Sequence, residues 1–179
     1  MSSIANDVQA GKQERTEAPS QRAAQLAKRI EEGAALLAAF AESLSDTEWQ
    51  TPVSKTDHRT VGVIVHHVAT MYPIEVQVAQ TVAGGNAITD VTWDVVAQIN
   101  GKHAGEFTSV SKATALELLR KNSNEAATAV RDFTDEQLDT AAPFSLSFGA
   151  PVTAQFVIED HALRHSWHHL FRIKAILGK

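Results

Sequence analysis

The sequence predicts an all-α protein, a four-helix bundle with short extra helices in its connections. Three observations carry that prediction. Apolar residues recur at spacings of three, four and seven through four long segments. Ser or Thr followed three residues later by Glu or Gln precedes two shorter stretches, the pattern of a capped helix start. Strand signals are confined to one brief region, and no repeat recurs at a period of about 20 to 50 residues.

Residues 1–18 are polar and aperiodic, and they read as a flexible N-terminal lead-in to one domain over 19–179. The first long helix is expected from about Ser20 to Leu44, with Ala23, Leu26, Ile30, Leu37, Phe40 and Leu44 on its inner face. Ser45-Asp46-Thr47-Glu48 then caps a short turn or helix. A second long helix runs from about Thr60 to Val82 and is closed by Gly84-Gly85. Pro73 interrupts it and removes one amide donor from the Ala69 carbonyl, which predicts a bend. Thr92 to about His103 forms a short helix, and Ser111 caps a third long one reaching Arg131. Thr134 to Gln137 is another capping box, giving a short helix before Pro143. Phe144 to Val152 is irregular or a brief strand pair, and Thr153 to Leu177 is the last long helix.

Composition narrows the function classes. Of 179 residues, 44% are hydrophobic and 21% charged, which is globular and excludes wholesale disorder. A formal charge of −5 argues against nucleic acid as a partner. The longest apolar run, Ala34 to Ala41, is far short of the roughly 20 residues that span a bilayer, and the start has no signal-peptide pattern. The expectation is a cytoplasmic protein without a membrane partner. Cysteine is absent, which removes disulfides, thiolate metal sites and a cysteine nucleophile together. Histidine is abundant instead, with eight copies, four of them between positions 161 and 169.

At about 100° per residue, His161, His165, His168 and His169 share one face of the last helix. Imidazoles four residues apart stand one turn apart on the same side and offer two metal ligands. A third must come from another element. On the second helix Val63, Ile64, Met71, Ile74 and Val78 fall within about 60° of His67, so the apolar face selects His67 and turns His66 toward a flank. The predicted metal ligands are therefore His67, His165 and His169, with His161 and His168 as reserves for a fourth position. Several imidazoles in an apolar bundle repel one another when protonated, and a shared cation removes that conflict.

These same residues resemble a known family. The stretch Arg59-Thr60-Val61-Gly62-Val63-Ile64-Val65-His66-His67-Val68-Ala69 and the stretch His165-Ser166-Trp167-His168-His169-Leu170-Phe171-Arg172-Ile173 look like the DinB-like metal-binding bundle superfamily. Looser similarity, including Trp93-Asp94 to Asn100 and Thr134 to Leu138, covers most of the chain from about residue 22. That superfamily includes bacillithiol S-transferases and mycothiol-dependent maleylpyruvate isomerases. The resemblance implies ligand roles for His67, His165 and His169, and Gly62-Val63 stands where many relatives carry polar residues. It also implies a thiol S-transferase or isomerase using an external low-molecular-weight thiol, and a homodimer.

Three neutral imidazoles leave a divalent charge uncompensated, which favours an anionic ligand in the open position. Zinc, nickel, iron and manganese all accept imidazole, so the metal is not distinguished. Around the ligands, Glu75 lies within about 80° of His67 and is a candidate base or partner of a ligand histidine. Arg172, one turn beyond His168, is a candidate to hold an anionic small-molecule substrate. Asn100 and His103 are candidates for the cofactor-binding mouth, with His66 as a further rim residue, and no role is expected for His58. Ser166 has no nucleophile elbow and points away from its histidine neighbour. The alternatives to the transferase are a metal-dependent hydrolase and a non-catalytic metal-binding or stress-response bundle, with haem on the histidines as one variant.

Overall fold

The computed structural model describes residues 20–179; the lead-in expected at 1–18 lies outside the described residues. Helix α1 spans Gln21–Glu42, its free amides capped by Ser20, whose Oγ accepts from Ala23 N at 3.0 Å. Short α2, Asp46–Trp49, starts at the Ser45/Glu48 capping box. Helix α3 spans Val61–Ala83 from Thr60, α4 spans Trp93–Glu106 from Thr92, and α5 spans Lys112–Arg131 from Ser111. The Thr134/Gln137 box starts α6, Asp135–Asp139. Strands β1, Ala141–Pro143, and β2, Pro151–Thr153, then pair antiparallel with Ala142 opposite Val152. The last helical run comprises α7 (Ala154–Val157), a wider π-turned segment (Ile158–Leu163) and α8 (Arg164–Leu177).

Helix α5 packs along both α1 and α3, and α8 lies against α1 on one side and α3 on the other. The consecutive long helices α1 and α3 are therefore diagonal in the bundle, as are α5 and α8. Every connection between long helices carries extra structure. Alanines 23, 27, 34, 38 and 41 on α1 and Ala115, Ala126 and Ala127 on α5 are buried, and small side chains on these two packed helices allow close approach. Larger fully buried side chains, among them Ile30, Leu37, Ile64, Leu119 and Ile173, fill the centre.

Two local devices hold α3. Its helix continues through Pro73, and the Ala69 carbonyl that proline deprives of a donor accepts from Asn122 Nδ2 of α5 at 2.8 Å. At the other end Gly62 lets the buried Trp49 ring lie so close that a Cβ there would sit 2.5 Å from it. Trp49 Nε1 donates to the Val110 carbonyl at 3.1 Å, which fastens α2 across the start of α3. The histidines follow one turn later.

Candidate metal centre

Helix α3 brings His67 to face His165 and His169 of α8. The ring centroids stand 5.0 Å apart for His67–His165 and His165–His169, and 5.8 Å for His67–His169. One ring nitrogen from each lies within 4.8 Å of the others, the one such group found among the described residues. His67 and His169 are buried, and the His165 side chain is 14% exposed. His165 Nδ1 donates to Glu75 Oε1 at 2.7 Å, which fixes its tautomer and leaves the Nε2 lone pair free. Glu75 itself is buried two turns below His67 on α3.

Burial, reinforced by the neighbouring imidazole of His165, pushes His67 down to about 3 and His169 down to about 2. Both rings are thus neutral across the physiological range, the form in which imidazole binds a metal. Nδ1 of His169 is buried with no hydrogen-bond partner among the described residues. A buried, unpartnered ring nitrogen beside two more imidazoles, one of them already oriented by a carboxylate, fits a divalent cation.

The three histidines line a cavity of about 300 Å³. Its apolar wall is built by Met71, Ile74 and Val78 of α3, by Trp93, Val96 and Ile99 of α4, and by Phe144 and Leu146 of the hairpin region. Arg59, Asp160, His161, Arg164 and His168 supply its charged and titratable rim.

The family model described as the DinB superfamily matches residues 29–171. The chain belongs to the DinB superfamily. Among solved structures, YfiT from Bacillus subtilis, described as a probable metal-dependent hydrolase with an unusual four-helix bundle topology, is similar with a TM-score of 0.70. That likeness runs at 18% sequence identity and covers 92% of each chain. No curated protein matches the sequence.

In this DinB-superfamily chain the remaining candidates land in different places. Asn100 lines the cavity from α4. His66 and His103, read as rim residues, are instead buried against each other, His66 Nδ1 lying 2.9 Å from His103 Nε2. Phe107 packs on both rings, and burial lowers the pKa of each. The flank that His66 points to is covered by α4, so leaving the inner face does not expose it. His161 and His168 line the cavity outside the cluster of ligand atoms, and the His161 ring makes a T-shaped contact with Phe144. The π-turned segment advances by less than about 100° per residue, so His161 is not stacked under His165 as an ideal helix would place it. Arg172 sits outside the cavity lining, with Nη2 donating to Asp57 Oδ2 at 2.9 Å. Ser166 is buried in a hydrogen bond with the Tyr72 hydroxyl, and His58 is exposed.

Sequence reasoning missed Arg59, the hairpin residues Phe144 and Leu146, and the part played by Trp93. Only Arg59 carried a signal, since Asp57 and Arg59 are two residues apart with opposite charge. Among the described residues no helix is long and apolar enough to cross a membrane.

Proposed function

We propose that His67, His165 and His169 hold a divalent metal and that the chain is a metal-dependent enzyme of the thiol S-transferase or isomerase type. The observation behind this reading is convergence of three imidazoles, without a fourth ligand among the described residues, on a cavity of about 300 Å³. Structural zinc sites close with four protein ligands, whereas three leave a position for a reactant. These residues would hold the ion with its charge uncompensated, and it would supply Lewis-acid chemistry there, stabilising the thiolate form of an external low-molecular-weight thiol. The chain's own residues do the rest. Glu75 holds His165 in one tautomer and orientation, and the apolar wall excludes water and takes the body of the electrophile. With no cysteine in the chain, the thiol must come from outside.

A second reading, hydrolysis, draws on a different atom. Glu75 Oε2 is buried without a partner among the described residues, so it is free to accept a proton from an attacking water. The description of YfiT as a probable metal-dependent hydrolase points the same way.

Elemental analysis of the purified protein is expected to give about one divalent ion per chain, lost in His165→Ala. Glu75→Gln is expected to weaken metal affinity about 10- to 100-fold while leaving the three ligands in place. An absence of metal from the wild type overturns both readings. Assays of metal-loaded protein then separate them: turnover that requires a small thiol supports transfer, and metal-dependent cleavage of esters or amides without thiol supports hydrolysis.

A further inference from the structure

The charged groups at the cavity are not balanced evenly. Glu75 is bonded to His165, and Arg164 is matched by Asp160 at 3.3 Å. Arg59 is different. Its Nε and Nη2 donate to the two oxygens of Asp57 at 2.9 and 2.8 Å, but Arg172 Nη2 shares that same carboxylate at 2.9 Å. Two guanidiniums, which never lose their protons, thus divide one negative charge. The neighbouring guanidinium of Arg59 also holds Asp57 well below the usual carboxylate range, so the carboxylate stays ionised. The set carries one surplus positive charge.

Of the two arginines, only Arg59 lines the cavity, and its Nη1 makes no hydrogen bond among the described residues. Bidentate anchoring of the other guanidinium edge fixes the plane in which Nη1 points, so little side-chain entropy is lost when it takes a ligand. Opposite the histidines the cavity wall is apolar, with Ile74, Trp93 and Ile99 reaching the surface at its mouth.

We infer that Arg59 is an anion subsite of the cavity and that the substrate is an amphipathic carboxylate, its carboxylate on Arg59 and its hydrocarbon body on the apolar wall. This inference rests on the same cavity as the proposed function and names the class of substrate it takes. Asp57 and Arg172 are positioning residues, the first orienting Arg59 and the second supplying the unmatched charge.

The test compares hexanoate with 1-hexanol, which share a hydrocarbon body, by titration into full-length protein followed through amide NMR shifts. It is run on the metal-loaded protein and again after chelation. Hexanoate is expected to bind about tenfold tighter than hexanol in both states. Arg59→Gln and Arg172→Gln are each expected to bring hexanoate down to the level of hexanol without changing hexanol. Circular dichroism checks that each variant is folded; if Arg59→Gln is not, Arg172→Gln carries the test, because its side chain lies outside the lining. Equal affinity of the two ligands in the wild type overturns the inference, as does a preference that survives both substitutions. A preference seen only with metal and retained in Arg59→Gln places the carboxylate on the ion, which overturns the subsite and leaves the metal reading standing. A preference in protein that never holds metal does the reverse.

Discussion

Pro73 and Asn122 form a compensating pair whose coupling can be measured. Proline in a helix interior takes away the amide that the carbonyl four residues earlier would accept from. Here that carbonyl belongs to Ala69, which is completely buried, and Asn122 Nδ2 replaces the missing donor at 2.8 Å. Asn122 is itself buried, so water has little access to either group. Asn122→Ala leaves the carbonyl unpaired, at a cost of about 1–3 kcal/mol, with lost packing adding on the order of 1 kcal/mol. Pro73→Ala returns an amide to the same carbonyl. In that background Asn122→Ala retains only the packing loss, so the coupling energy is the carbonyl's own cost, about 1–3 kcal/mol. Urea denaturation of the wild type, both single variants and the double variant gives the cycle, provided the slopes agree. If Asn122→Ala costs the same in the Pro73→Ala background as in the wild type, the compensation argument is wrong.

Three further outcomes follow from the site and its supports. His67 and His169 have folded values of about 3 and about 2 against about 6.5 when unfolded, so below pH 6.5 the unfolded chain takes up protons that the folded chain refuses. Stability is therefore full above pH 6.5 and falls on acidification, by about 2 kcal/mol per histidine at pH 5, in chelated protein; a flat urea midpoint between pH 7.5 and 5 contradicts this. Gly62→Ala drives a Cβ to 2.5 Å from the buried Trp49 ring and is expected to cost about 1–3 kcal/mol with a shift in tryptophan emission. Unchanged stability and emission refute that account. Gly33→Ala, which meets the partly exposed Trp167 ring, is expected to cost less.

Much of the fold was legible because its signals are local. Ser20, Ser45, Thr60, Thr92, Ser111, Thr134 and Thr153 each cap the helix they precede, through contacts spanning three residues. The pairing of His67 with His165 and His169 was legible for a related reason. Inner faces of bundle helices meet at the centre, so side chains assigned inward by periodicity on two helices must converge. His66 shows where angular reasoning stops: it lies off the inner face, yet α4 covers that flank and His103 meets it there. Helix angle says where a side chain points, not what else arrives.

Spacing and composition are enough to specify the helices, their caps, the three converging histidines and the need for any thiol to be borrowed. Packing in three dimensions settled the rest. It put Glu75 on His165 across 90 residues, Asn122 under Pro73 across a helix pair, and Arg172 beside the Asp57–Arg59 pair from 115 residues away. It also widened one turn before α8, which set His161 apart from the ligands. Each of these is a contact between elements whose separation in sequence carries no periodic signal, and only packing fixes which of many polar partners meet.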